Sequence, residues 1–255
     1  MKIFRKIRFK LLGENKTRQY ALYSIGEIVL VVIGILIALQ IDNWNQSRKD
    51  DNALKEYLVK IKSHTSEDLR QLEEITRGRA QIADFCKKAR TSILDKTEDE
   101  NFHIFKISGL AFADFYFKPN TGGYEALKNS EYFGKINNTP LDSLLTKYHS
   151  LVEVIAENEK SYNDYMVDQE AYLSTQFDLS LILASAVMSQ DALSMRATPQ
   201  SEYDEAFKQY TVSAPYRNVI SLAAFQFDEM INQYNQLGAI GQSVSNEINA
   251  MITVD

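Results

Sequence analysis

Apolar positions along the chain follow two different patterns. Tyr20–Ile41, YALYSIGEIVLVVIGILIALQI, is a 22-residue apolar stretch with Glu27 as its one ionisable acid. As a helix rising 1.5 Å per residue it covers about 33 Å, close to the ~30 Å hydrocarbon thickness of a bilayer. Further on, apolar residues recur with helical period instead. Over 52–93 they fall at Leu54, Leu58, Ile61, Leu69, Leu72, Ile75, Ile82, Phe85 and Ala89. Over 141–177 the positions Leu141, Leu145, Tyr148, Val152, Ile155, Glu159, Tyr162, Met166, Gln169 and Leu173 alternate in steps of four and three, the spacing of a coiled-coil seam. Over 218–252 Ile220, Phe227, Tyr234, Gly241 and Ile248 repeat at sevens, with Met230, Leu237, Val244 and Met251 as a companion seam. No window alternates with a period of two, so no strand is expected.

The four prolines respect this division. Pro119, Pro140, Pro199 and Pro215 all fall outside the seams, where a proline avoids the ~3 kcal/mol it costs inside a helix. Thr139-Pro140-Leu141-Asp142 reads as a cap, a first-turn proline and an early acid at the start of the second long helix. Asn120-Thr121-Gly122-Gly123 reads as a loop, with short helices near Phe102–Ala113 and Tyr124–Phe133. The fold expected is all-α: one N-terminal transmembrane helix followed by an elongated antiparallel helical bundle with coiled-coil-like seams. Its parts are a basic segment 1–19, a span 20–41 and a helical ectodomain 42–255, with long helices near 52–93, 141–177 and 218–252. Residues 94–140 are expected to form a distal cap, from which the second long helix returns beside the first.

Charge gives the span a direction. Lys2, Arg5, Lys6, Arg8, Lys10, Lys16 and Arg18 stand against Glu14 in the first 19 residues, whereas the chain as a whole carries a net charge of −6. Basic residues flanking a span stay on the cytoplasmic side, which places the N-terminus inside and the bulk of the chain outside. Tyr20 and Tyr23 at one edge and Trp44 at the other suit the headgroup layers. A cleavable signal peptide competes, because Ile28–Leu39 is an apolar run of its length; the long segment before it and Gln40-Ile41-Asp42 after it favour a retained anchor. Cys86, the single cysteine, excludes an intrachain disulfide and Cys-rich metal sites. The acidic balance weighs against nucleic-acid binding.

Phe4–Lys49, FRKIRFKLLGENKTRQYALYSIGEIVLVVIGILIALQIDNWNQSRK, resembles the opening of an uncharacterised family of single-pass membrane proteins of Bacteroidota-type bacteria. GGYEALKNSEYFGKINNTPLDSLLTKYH, Gly122–His149, is similar to a second region of that family, with Glu131 where the family often has Gly and Tyr148-His149 where it has a Tyr pair. The resemblance implies an anchor in the bacterial inner membrane and a helical periplasmic domain. It brings no activity, because the family's domain is of unknown function.

No metalloprotease, nucleophile-elbow, P-loop or dinucleotide-binding motif occurs. His64, His103 and His149 lie in separate elements, and the acidic run Asp95–Glu100 lacks the ligand spacing of a calcium loop. No catalytic residue, metal or cofactor is therefore expected. Two groups stand out. At 100° per residue Gly34 and Ala38 flank Glu27 on one stripe of the span, the small-residue pattern of a helix–helix contact. Phe112, Phe115, Phe117, Tyr124, Tyr132 and Phe133 either line a pocket in the distal cap or fill its core. The function expected is that of a non-enzymatic inner-membrane protein whose periplasmic helices mediate assembly or partner binding. Membrane lipid and a homo-oligomer or another membrane protein are the expected partners. A ligand-sensing ectodomain is the alternative, and an ion-driven motor subunit using Glu27 a more remote one.

Overall fold

The computed structural model of the chain describes residues 17–97 and 102–253. Most of the basic segment 1–19 and half of the acidic run 95–100 thus lie outside the described residues. The described chain is all-α, as expected: α1 Thr17–Asp95, α2 Phe102–Ser108, α3 Gly122–Lys128, α4 Pro140–Ser174, α5 Leu179–Val187, α6 Gln190–Ser194, α7 Gln200–Thr211 and α8 Ala214–Thr253. Two 3-10 turns, Gly109–Phe112 and Phe133–Lys135, complete it, with no strand among the described residues. The chain divides into two compact units, residues 1–56 and 57–255.

In the first unit the apolar stretch belongs to α1, which continues without a break past Ile41. Every residue from Ile25 to Trp44 is exposed. No proline or helix-stopping glycine follows the span, so nothing in the sequence ends the helix there.

The second unit is built on α1, α4 and α8. Thr139 caps α4, its hydroxyl accepting from Asp142 N at 3.3 Å, and Pro140 takes the first turn. Of the ten seam positions read for α4, nine are buried and Gln169 is half-buried. In α8 all of the positions at sevens and their companions are buried except Met251. On α1 the buried line runs Leu58, Ile61, Thr65, Asp68, Leu72, Arg79, Ile82, Cys86 and Ala89, with half-buried Ile75 keeping the same four–three step. Three polar residues, Thr65, Asp68 and Arg79, thus occupy positions where the pattern calls for apolar ones.

Helix α8 runs against both other long helices. Tyr234 meets Glu159 of α4 and Arg79 of α1, while Phe227 meets Tyr162 of α4. Helices α1 and α4, by contrast, run in the same direction. Tyr148 bonds Asp68, and eleven residues further along each helix Glu159 and Arg79 meet around Tyr234. This departs from the expected path, in which the second long helix returns beside the first. The return is made instead within residues 102–139, and they are not a distal cap. Arg79 bonds Phe115, Gln71 bonds Lys118, Asp68 bonds Asn120, His64 bonds Gly123, and Tyr57 packs on Tyr132 at 6.1 Å, so the segment descends along α1. Its aromatic and backbone groups fill the groove between α1 and α4, which a cap at one end would leave open.

Candidate functional site

The three charged side chains of the seams converge on one non-helical strap, Asp114–Thr121. Arg79 Nη2 donates to Phe115 O at 2.9 Å. Phe117 N donates to both oxygens of Glu159 at 3.2 and 3.0 Å. Lys118 N donates to Gln71 Oε1 at 2.5 Å, and Asn120 N and Nδ2 donate to Asp68 Oδ1 at 2.9 and 2.7 Å. A strap without helix has backbone groups that find no partner in its own chain segment. Buried groups of that kind need partners, and the seam side chains supply them.

Charge burial is compensated unevenly. Arg79 is 1% exposed and lies over Phe227 at 4.8 Å, Phe115 at 5.6 Å and Tyr234 at 5.9 Å, an aromatic surround that favours a cation. Its Nε and Nη1, together with Asn163 Oδ1, have no hydrogen-bond partner among the described residues. Glu159, also 1% exposed, accepts from Tyr234 OH at 2.5 Å. Burial raises its carboxyl above the ordinary 4.5, opposed by the Tyr234 hydroxyl, the Phe117 N–H and the charge of Arg79. Asp68 holds Tyr148 OH at 2.9 Å, and burial, then the Asp68 charge, pushes that hydroxyl's pKa up. Burial likewise pushes the Cys86 thiol up to about 12, which keeps it protonated.

A second cluster surrounds the start of α3. Gly123 N donates to His64 Nδ1 at 3.1 Å, and the His149 ring stacks on Tyr124 at 4.0 Å. The backbone of α1 comes so close that a Cβ on Gly123 would lie 3.2 Å from Ile61 N, which explains the glycine. Burial lowers the pKa of His149 below 6.5. Two of the three histidines are thus brought to one helix start; the side chain of His103 lies outside the described residues. Among the described residues no group of three His, Cys, Asp or Glu side chains is placed to hold a metal.

The six aromatic candidates are distributed over several environments. Phe112 stacks on Tyr216 at 6.4 Å and lines a cavity of about 120 Å³ beside α5 and α7. Phe115 and Phe117 belong to the strap held by Arg79 and Glu159. Tyr124 stacks on His149, Tyr132 packs against Tyr57, and Phe133 is half-buried in a 3-10 turn. None of these five lines the cavity beside Phe112. Glu27, Gly34 and Ala38 are exposed on α1, and a Cβ on Gly34 would meet nothing within 4 Å. Reading from composition overlooked Asp68, Arg79 and Thr65, although continuing the four–three step from Leu58 lands on each of them.

Fold and site together define an all-helical protein with one helix, among the described residues, long and apolar enough to cross a membrane. The chain belongs to a family of unknown function, DUF6090, whose model matches residues 27–191, more than half of its length. No curated protein and no solved structure matches it.

Proposed function

We propose that this protein is a single-pass inner-membrane protein, N-terminus in the cytoplasm, whose periplasmic helical domain serves assembly or partner binding and carries no catalysis. The observation that supports this most is the run from Ile25 to Trp44, exposed at every position although it is almost wholly apolar up to Ile41. Such a surface contradicts the usual limit on exposed apolar patches in water and matches the lipid-facing surface of a spanning helix. A non-catalytic role is supported by the employment of the buried charges. Asp68 and Glu159 accept backbone N–H groups, and Arg79 donates to a backbone carbonyl.

Within the span, Glu27, Gly34 and Ala38 form the contact with a second copy or a partner helix. Small residues let helices approach, and a polar group in lipid gains about 0.6–2 kcal/mol from an interhelical hydrogen bond. Crosslinking in native membranes tests this. Gly34→Leu is expected to reduce span–span crosslinks, and Glu27→Gln to preserve them because the amide still hydrogen-bonds. Unchanged crosslinking in both variants means that the stripe faces lipid. Loss of function in Glu27→Gln with assembly intact would point to proton handling instead. A cytoplasm-dependent reporter fused after Asp255 that proves active would overturn the orientation.

A further inference from the structure

Close to the C-terminal end of α4, five elements leave a void between them. Its apolar wall is formed by Phe105, Phe112, Leu173, Ile182 and Phe207, from α2, the following 3-10 turn, α4, α5 and α7. Interiors are packed to crystal-like density, and gaps larger than a water are few. The volume of about 120 Å³ approaches the ~150 Å³ of an engineered apolar cavity that takes up benzene. Size and lining therefore suit a branched aliphatic or single-ring side chain.

The polar part of the lining narrows the chemistry. Lys106 and Glu170, of opposite charge, are both lining residues. Lys106 Nζ makes one long hydrogen bond, 3.5 Å to Met188 O, which engages one of its three donors. Glu170 is exposed, yet its carboxylate sits near enough to the buried Tyr210 hydroxyl to add to the rise that burial causes there. A purely apolar guest would leave both charges without a role, and a simple anion or cation would meet one of them as a repulsive neighbour.

We propose that this cavity binds a small apolar zwitterion, the chemistry of a free amino acid with a hydrocarbon or aromatic side chain. The side chain enters the void, the carboxylate pairs with Lys106 and the ammonium with Glu170. This site is independent of span association and stands or falls separately from it.

Equilibrium dialysis of the full chain in detergent micelles, with labelled L-leucine and L-phenylalanine, tests the assignment; neither probe partitions appreciably into micelles. Saturable binding of at least one is expected. L-serine, 4-methylpentanoate and 3-methylbutylamine, which lack the apolar body, the ammonium and the carboxylate in turn, are expected to compete at least about tenfold more weakly. Lys106→Met and Glu170→Gln each lower affinity about tenfold. Gly109→Leu fills the void and abolishes binding while circular dichroism stays unchanged. Gly109 lines the cavity, and a Cβ there meets nothing within 4 Å. Absence of saturable binding overturns the site. Binding that survives Gly109→Leu places the ligand elsewhere and equally overturns it, and equal competition by either single-charge analogue overturns the zwitterion assignment.

Discussion

Two stretches of the same helix obey opposite rules. Between Ile25 and Ile41 α1 turns its apolar side chains outward at every position, with Glu27 among them. Between Leu58 and Ala89 it turns them inward in four–three steps and admits Asp68 and Arg79 to the buried line. Secondary structure is identical in the two, so helix formation carries no information about what surrounds a helix. What differs is what surrounds the side chains and how charge is satisfied. In the apolar stretch every backbone group is satisfied within the helix, the condition for crossing lipid. In the seam the charges are tolerated because the strap needs partners of its own.

The sharpest way to break this contrast is to remove a seam charge. Arg79→Ala removes the shorter of the two hydrogen bonds to Phe115 O, leaving only the 3.5 Å bond from Asn163 Nδ2, and opens a void among three aromatic rings. We expect a loss of about 3–5 kcal/mol in urea unfolding, the cost of breaking a buried charged network. Glu27→Gln, in the other regime, is expected to shift the same transition by less than ~0.5 kcal/mol. A small effect of Arg79→Ala would mean that water already reaches the seam.

Glycines give the next largest effect. In Gly123→Ala the new methyl meets Ile61 N at 3.2 Å and Ile61 Cα at 3.3 Å, backbone atoms that cannot step aside. A loss of about 1–3 kcal/mol follows for overpacking of this kind. In Gly241→Ala the neighbours at 3.2 Å are side-chain atoms of Leu69, Thr65 and Tyr148. They can shift, and the helix gains up to ~1 kcal/mol from alanine, so a net change under ~1 kcal/mol is expected. Equal losses at the two sites would refute the distinction between rigid and yielding neighbours.

Acidity acts on the two buried clusters with opposite signs. Burial raises the carboxyl pKa of Glu159, so the folded chain holds that proton more tightly than the unfolded one. Its stabilising contribution is complete below 4.5 and is lost as the pH rises through the folded value. Relative to Glu159→Gln, the native protein should therefore lose stability as the pH rises from 4.5 through the folded value. Burial lowers the pKa of His149, whose contribution is present above 6.5 and is lost as the pH falls through the folded value. His149→Gln should flatten that acid limb in thermal melts. The smallest effect belongs to the surface. Lys87 and Asp228 link α1 to α8 at 2.7 Å but are 49% and 58% exposed. Lys87→Ala is expected to cost under ~1 kcal/mol and to vanish in high salt.

Much of the helical scaffold was readable because it is periodic. The seams of α4 and α8 were legible residue by residue, Glu159 included. The seam of α1 was legible only through its apolar members, since Thr65, Asp68 and Arg79 interrupt the hydrophobic signal without changing the register. Direction was not legible at all. A heptad pattern reads the same for parallel and antiparallel neighbours, and α4 follows α1 in parallel because the segment 102–139 is long enough to return along it. The strap was hidden for a related reason: Phe115 and Phe117 advertise a pocket, whereas the backbone atoms that Arg79 and Glu159 bind have no signature in the sequence. Nor does composition reveal that His64 and His149 meet at the start of α3.

The parallel course of α1 and α4 bears on how the chain is made. Asp68 waits for Tyr148, 80 residues later, and Glu159 waits a further 75 for Tyr234. During synthesis, N-terminus first, the seam of α1 therefore emerges long before the helix that closes it. Since α8 supplies the 40-residue helix that closes both seams, a ribosome stopping between Ser174 and Ala214 releases a chain in which the faces of Arg79, Glu159 and α4 that α8 covers are bare. Such products should be found by proteases and chaperones rather than in assembled form, which makes the final helix a completeness check on the whole domain.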